Sequence, residues 1–146
     1  MATKMKFKEW FEKMAETNGI KNFSSEEFTR YFKKWRRETQ NSEPPQELWD
    51  DVIDSLKIVQ RLRDKFGRSI TILSSYRSPA YNNAVGGAKF SRHKKFDALD
   101  ITVSGIDPKV VYAQLKEWRD CGCFVGGLGL YVRSGFVHID TRGENA

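Results

Sequence analysis

The sequence predicts an α+β fold in which N-terminal helices pack on a small, mainly antiparallel sheet. Apolar residues recur at helical spacing before residue 67 and alternate with polar residues in short segments after residue 70, and the chain has no internal repeat. A chain of 146 residues can bury roughly two thirds of its unfolded surface without disulfides. We therefore predict a single domain over residues 1–146, whose residues 1–19 form an N-terminal helical extension.

Three amphipathic helices are predicted in the first half, over residues 5–17, 24–38 and 45–66. The first stops at Asn18-Gly19, the second opens with a capping box from Ser24 to Glu27, and the third is closed by Gly67. Their apolar stripes are typical of core-facing helices. The stripe residues are Phe7, Trp10, Phe11, Met14, Phe28, Tyr31, Phe32, Trp35, Leu48, Val52, Leu56, Val59 and Leu62.

The second half predicts strands over residues 70–75, 98–103, 128–132 and 136–141. The last two form a hairpin around Arg133-Ser134-Gly135. Pro79 favours one helical turn after the first strand, and Asp107-Pro108 is an N-cap followed by Pro at the first helical position, which predicts a helix to about Asp120.

The chain has two histidines, His93 and His138, and each lies in a segment that also carries a carboxylate. A catalytic zinc needs about three imidazole or carboxylate ligands and one open position for water. In the alternating segment 98–103, Asp100 lies on the face opposite Leu99, Ile101 and Val103. If strands 98–103 and 136–141 pair, then His138 and Asp100 face one cavity and the preceding loop brings in His93.

Either segment alone fits an ordinary structural role equally well. A lone His on a strand is usually hydrogen-bonded within the fold, and an Asp at a strand start is often a turn former. The two segments together favour a metal site formed by His93, Asp100 and His138.

The motifs around these residues resemble a known family. Ser91-x-His93 followed by six residues and Asp100, and the late segment Phe136-Val-His-Ile-Asp-x-Arg-Gly, are similar to those of the zinc D-alanyl-D-alanine carboxypeptidase group of peptidoglycan peptidases, whose fold is shared with the hedgehog signalling domain. The similarity covers roughly residues 20–143 and includes the segments 23–28, 70–89 and 126–129.

The resemblance implies one Zn²⁺ per chain, held by His93, Asp100 and His138. It also assigns substrate binding to Arg77, a candidate catalytic residue whose planar fork suits a carboxylate or a developing oxyanion. From the sequence alone, the alternative is an arginine that only ties its loop to its own carbonyls. Ser91 resembles a serine that hydrogen-bonds the substrate near the metal, although from spacing alone it is equally well a loop cap.

Two positions depart from the family pattern. The family usually has Gly three residues after the first His, where this chain has Phe96, and a bulky residue there is expected to reshape the pocket wall. Several relatives carry an acid three residues before the last His, where this chain has Gly135.

The nearest acid in sequence to His138 is Asp140, on the same strand face. It is a candidate general base, which would take a proton from the attacking water. Its other candidate roles are to hold a ligand His from outside the metal's coordination shell and to pair with Arg142. These alternatives stay open at the level of sequence.

Composition limits the partners and the location. The formal charge of +6 favours polyanions; we expect anionic cell-wall polymers as a candidate partner beside the peptide substrate, and no nucleic acid. The basic N-terminus lacks the apolar stretch of a secretory signal, and no apolar run is long enough to span a bilayer. We expect synthesis in the cytoplasm and action on the wall after release or virion delivery. Cys121 and Cys123 are expected to be reduced.

The resemblance implies a zinc metallopeptidase that hydrolyses peptidoglycan stem peptides, as a D-Ala-D-Ala carboxypeptidase or an L-Ala-D-Glu endopeptidase. Small size favours a phage-type lytic enzyme, an endolysin. One alternative is a non-catalytic zinc-binding module for assembly or polyanion binding. Another is an iron site of two histidines and a carboxylate, for which the chain has too few strand segments to form the usual double-sheet barrel.

Overall fold

The computed structural model describes residues 5–146 and confirms the α+β architecture. Residues 1–4 lie outside the described range. They include the start of the basic N-terminal segment, for which the sequence predicts no secretory signal. The helices are α1 (Phe7–Asn18), α2 (Glu26–Phe32), α3 (Ile53–Phe66), α4 (Pro79–Ala84) and α5 (Pro108–Asp120), with 3₁₀ helices over Gln46–Val52 and Arg92–Lys95. The strands are β1 (Trp35–Arg36), β2 (Thr39–Gln40), β3 (Ile70–Ser74), β4 (Ala98–Val103), β5 (Leu128–Tyr131) and β6 (Phe136–Asp140).

The main sheet is antiparallel with the strand order β3-β4-β6-β5. Its central strand β4 is buried at five of its six positions, so the sheet is covered on both faces there. Apolar residues of β4, β6, α3 and α5 belong to one core: Leu99, Ile101, Val137, Ile139, Leu56, Val59, Leu62, Val111 and Leu115. This core fixes the strands that carry the candidate site.

Most predicted elements lie where the sequence places them. Asp107 caps α5 by accepting a hydrogen bond from the Lys109 N–H at 2.9 Å, and the β5–β6 hairpin has the predicted turn. Gly67 ends α3 with φ +62°. Among residues 5–146, no helix combines the length and apolar character required to cross a membrane.

The predicted helix over residues 24–38 is wrong in its second half. α2 ends at Phe32, and a two-residue antiparallel hairpin, β1–β2, follows. The Asn41 amide, buried in the fold, donates hydrogen bonds to the carbonyls of Tyr31 at 3.3 Å and Tyr76 at 2.9 Å. These distant contacts stabilise the chain reversal, and Trp35 is exposed instead of continuing the helical stripe.

The predicted helix over residues 45–66 consists of a 3₁₀ segment followed by α3. Trp49 is fully buried and its indole N–H donates to the Pro44 carbonyl at 2.8 Å, a contact that ties this tighter segment to the preceding loop. In the predicted capping box, the Glu27 carboxylate accepts from the Ser24 N–H at 2.7 Å, which is one half of the motif.

Phe96 does not shape a pocket wall, contrary to the sequence-based expectation. Its backbone has φ +60°, a left-handed conformation that explains why a glycine suits this position, and its ring is fully buried. The ring lies 6.2 Å from that of Phe7 and 6.0 Å from that of Phe32. Aromatic packing against α1 and α2 therefore compensates the backbone strain.

Phe96→Gly is expected to lower the free energy of unfolding by about 2 kcal/mol. Loss of the ring costs about 3–5 kcal/mol, and relief of the left-handed strain returns about 1–2 kcal/mol. Phe96→Ala keeps the strain and should be less stable than Phe96→Gly. Denaturant unfolding of the parent and both variants measures this order, and a glycine variant as stable as the parent would contradict it.

Candidate metal centre

Two neighbouring strands bring the predicted carboxylate and the second histidine together. Asp100 on β4 is the register partner of His138 on β6, so their side chains project from the same face of the sheet. His93 lies on the 3₁₀ helix that precedes β4. Its backbone carbonyl accepts a hydrogen bond from the Arg77 N–H at 3.0 Å, which fixes this segment against the loop after β3.

The three predicted ligands form one cluster. Asp100 Oδ2 lies 3.2 Å from His93 Nε2, and Asp100 Oδ1 lies 2.9 Å from His138 Nδ1. One donor atom from each residue lies within 4.8 Å of the others. His93 and Asp100 are buried, and His138 is partly exposed toward the cleft.

Oxygen atoms outside the cluster hold the far side of each imidazole. His93 Nδ1 donates to the Ser75 carbonyl at 2.6 Å, and its Nε2 lies on the Asp100 side. His138 Nε2 lies 2.8 Å from Asp140 Oδ2, with Nδ1 on the Asp100 side. Metal-ligating histidines generally have such an oxygen partner on the second ring nitrogen. The donor set and its supports therefore fit a metal ion.

The charged groups of the cluster shift one another's pKa values. Burial by itself would lower the pKa of His138, but its hydrogen bonds to Asp100 and Asp140 outweigh burial and raise that pKa to about 9. Burial would raise the pKa of Asp100, but hydrogen bonds from both histidines hold it well below its usual range. The metal-free site thus binds a proton that a cation would displace.

Without bound metal, the protein is expected to lose stability as the pH rises from about 6.5 to about 9. The folded state keeps the His138 proton up to about pH 9, whereas an unfolded chain releases it near pH 6.5. The stabilisation is therefore complete below about pH 6.5 and is lost as the pH passes the folded pKa, by at most about 1.4 kcal/mol per pH unit.

Chemical denaturation of chelator-treated protein across this range measures that loss. A His138→Gln variant is the control, because it cannot bind the proton and should lose most of the slope. Equal slopes in the parent and the variant would show that His138 is not the responsible group.

Asp140 lies beneath the cluster with no exposed surface. Its Oδ1 accepts from the Gly127 N–H at 2.9 Å and from Arg142 Nε at 2.8 Å, and its Oδ2 accepts from Arg142 Nη2 at 2.6 Å. Burial would raise the pKa of this carboxyl, but the hydrogen bonds from Arg142 and His138 keep it far below its usual range. Asp140 thus contacts both partners named from the sequence, Arg142 and His138.

Two adjacent glycines allow this arrangement. A Cβ on Gly127 would lie 2.5 Å from Asp140 Oδ2, and a Cβ on Gly126 would lie 1.8 Å from the Asp140 carbonyl oxygen. Any side chain at either position would displace the loop from Asp140. The sequence shows these glycines only as loop residues, without this reason.

Arg77 lies beside the cluster. Its Nη2 is 3.9 Å from Asp100 Oδ2, its Nε donates to the Tyr31 hydroxyl at 3.2 Å, and its Nη1 donates to Asn82 Oδ1 at 3.4 Å. The Ser91 hydroxyl accepts from the His93 N–H at 3.3 Å, which is the loop-cap contact, and Ser91 also lines the cleft.

A cleft of about 650 Å³ opens above the cluster. It is bordered by Phe90, which is 83% exposed, and by the rings of Tyr131 and Phe136, which stack at 4.6 Å between centroids. Within the described part of the chain, the only carboxylate side chain that lines the cleft is Asp100. The arginines that line the cleft are Arg77, Arg92 and Arg142.

Sequence reasoning missed the residues that support the site. Tyr31 falls in a helical core stripe, Ser75 and Asn82 belong to a segment that carries the family resemblance, and the sequence indicates no role in the site for these residues or for Ser74. Tyr31 contacts Arg77 across 46 residues of sequence, so no local spacing indicates the pairing. Cys121 and Cys123 are free and exposed, as expected.

Comparison with known proteins places this geometry in a family. The profile of the Peptidase M15 family matches residues 21–140. The chain is 37% identical over 79 residues to the peptidoglycan L,D-endopeptidase MepK of Escherichia coli strain K12. This aligned segment covers 51% of this chain and 41% of that protein. It is 32% identical over 77 residues to the probable peptidoglycan L,D-endopeptidase MepK of Haemophilus influenzae, covering 49% of this chain and 39% of that protein.

No solved structure matched the chain. Both relatives are more than twice as long as the segment they share with this chain. The family profile, in contrast, extends over most of the described residues and includes His93, Asp100 and His138. The chain therefore belongs to the Peptidase M15 family.

Proposed function

We propose that this chain is a zinc-dependent peptidase that hydrolyses amide bonds in peptidoglycan stem peptides. The observation that carries the proposal is the His93–Asp100–His138 cluster at the base of an open cleft, with an oxygen partner behind each imidazole. Membership of the Peptidase M15 family supports the reaction class. The relatives are named as peptidoglycan L,D-endopeptidases, which favours the endopeptidase over the carboxypeptidase reading.

His93 Nε2, Asp100 and His138 Nδ1 would hold the metal. A bound zinc would lower the pKa of its water to ~7 and would polarise the carbonyl of the scissile amide. Asp100 is kept ionised and His93 is held in the tautomer that offers Nε2. Arg77 faces the same space and suits a substrate carboxylate or the developing oxyanion.

The charge of the side chains that line the cleft also favours an anionic peptide substrate. Three arginines line the cleft, and the one lining carboxylate side chain in the described part of the chain belongs to the metal cluster. Stem peptides carry free carboxylates, so this charge balance favours their binding. The exposed aromatic border offers apolar contact for the rest of the substrate.

A non-catalytic zinc-binding module is the second candidate. It is favoured by the lack of a carboxylate side chain outside the metal cluster among the described lining residues, since the acid beside His138, Asp140, is buried and hydrogen-bonded. The iron alternative lacks support, because the described sheet has four strands and forms no double-sheet barrel. The phage-type lytic role and the route to the wall stay predictions.

Mass spectrometry of peptidoglycan fragments after incubation with zinc-loaded protein tests the proposal. We expect products that have gained one water, with new peptide termini that identify the cleaved bond. Cleavage within the stem peptide or a cross-link supports an endopeptidase, and release of a terminal D-alanine supports a carboxypeptidase. Intact fragments in the presence of stoichiometrically bound zinc would favour the non-catalytic module.

A further inference from the structure

We propose that Tyr31, on α2, is a positioning residue that sets the orientation of the Arg77 guanidinium beside the metal cluster. The inference rests on the proposed function, because it concerns how Arg77 meets the substrate. Tyr31 lies outside the motifs that carry the family resemblance, and it acts through its hydroxyl group.

The Tyr31 hydroxyl connects Arg77 with Ser74, a residue that lies beside His93. It accepts hydrogen bonds from Arg77 Nε at 3.2 Å and from the Ser74 hydroxyl at 3.1 Å. The Ser74 hydroxyl in turn lies 3.3 Å from His93 Nδ1. The Tyr31 hydroxyl thus contacts Arg77 directly and His93 through the Ser74 hydroxyl.

Arg77 differs from the other two arginines of the cleft in the charge of its partners. Arg142 and Arg92 are each ion-paired with a carboxylate, Asp140 and Asp97 respectively. Arg77 is held at hydrogen-bond distance by neutral groups, the Tyr31 hydroxyl and the Asn82 amide oxygen, and its closest carboxylate in the described chain is Asp100 at 3.9 Å. Its charge therefore remains available to an anionic group of the substrate.

The hydrogen bonds to Tyr31 and Asn82 also determine which edge of the Arg77 guanidinium faces the metal cluster. Tyr31 occupies Nε and Asn82 occupies one direction at Nη1, so Nη2 is the end that lies toward Asp100 and the cluster. A guanidinium with a fixed plane loses less entropy when it binds a carboxylate or oxyanion. Without the Nε contact, the plane can rotate away from the productive orientation.

The fold determines the position of the hydroxyl independently of Arg77. Tyr31 is 8% exposed, and its ring packs edge-on against that of Tyr81, with centroids 6.1 Å apart at 87°. Asn41 links the end of α2 to the Arg77 loop, because its amide donates to the Tyr31 and Tyr76 carbonyls and its oxygen accepts from the Ser78 N–H. Tyr31→Phe should therefore remove the hydroxyl and preserve the packing.

The test is a double-mutant cycle with Tyr31→Phe and Arg77→Lys, assayed on a muropeptide that the parent cleaves. We expect Tyr31→Phe to lower kcat/KM by about tenfold, as for loss of a hydrogen bond to a charged group, with metal content unchanged. In the Arg77→Lys background, Tyr31→Phe should have less than about a twofold further effect, because Lys lacks the fork that Tyr31 orients.

Tyr76→Phe is the matched control. Tyr76 is also buried, and its hydroxyl makes no hydrogen bond among the described residues, so this variant should keep the parent's rate. Full activity in Tyr31→Phe, or an equal loss in the parent and Arg77→Lys backgrounds, would overturn the proposal. The second result would show that Tyr31 serves only the fold.

Exchange of the Arg77 Nε proton, followed by NMR, needs no substrate. We expect slow exchange in the parent and in Tyr76→Phe, and faster exchange in Tyr31→Phe. Unchanged exchange in Tyr31→Phe would overturn the positioning role even if the parent proved active. A parent that cleaves no muropeptide but shows the expected exchange pattern would refute the proposed function and leave the Tyr31–Arg77 contact supported.

Discussion

Replacing His93, Asp100 or His138 with Ala is expected to weaken zinc binding by more than about 100-fold. Partners outside the coordination shell already contribute about 10 to 100-fold to metal affinity, and a set of three ligands has no spare member. Peptide hydrolysis should fall in parallel when zinc is limiting. Elemental analysis of the purified variants, combined with a fragment assay, measures both effects.

Asp97→Asn is the control for this series. Asp97 lies in the same segment and is buried, but it pairs with Arg92 and is not part of the cluster. It should retain metal, although the broken ion pair will reduce stability. Stoichiometric zinc in His93→Ala or His138→Ala would be incompatible with the ligand assignment.

Asp140→Asn is expected to weaken zinc binding by about 10 to 100-fold, with much of the hydrolysis rate restored by excess zinc. The contacts of Asp140 are the reason. Its oxygens accept from Gly127 N, Arg142 N, Nε and Nη2, and one lies against His138 Nε2. An amide cannot satisfy both the Arg142 fork and the imidazole, so the orientation of His138 relaxes.

The general-base role predicts a different result for the same variant. Zinc would stay bound, while turnover would drop by ~10² to 10⁴ and excess zinc would not restore it. Zinc titration and steady-state kinetics of Asp140→Asn therefore separate the two roles. Parent-like behaviour in both measurements would exclude Asp140 from either role.

The sequence predicted the cluster because its geometry follows from strand periodicity. Alternation in residues 98–103 and 136–141 placed Asp100 and His138 on definite strand faces, and pairing of the two strands brought them together. His93 followed because a short loop connects it to β4. These relations depend on near neighbours in sequence, which spacing can reveal.

Other features depend on contacts between distant segments. The end of α2 is set by Asn41, the left-handed backbone at Phe96 is compensated by rings from α1 and α2, and the Arg77 orientation depends on Tyr31. Helical stripes in a single sequence cannot show which partner a side chain will meet. The buried state of Asp140 has the same origin, since it requires Gly126 and Gly127 from another loop.

Zinc add-back to chelator-treated protein tests most directly whether hydrolysis depends on one metal in this cluster. The account predicts that metal-free protein does not cleave a muropeptide and that the rate rises linearly with added zinc, reaching its maximum at one zinc per chain. His138→Ala protein, treated in the same way, should gain little activity at that ratio. Cleavage by the metal-free parent, or a rate that reaches its maximum only at two zinc ions per chain, would contradict it.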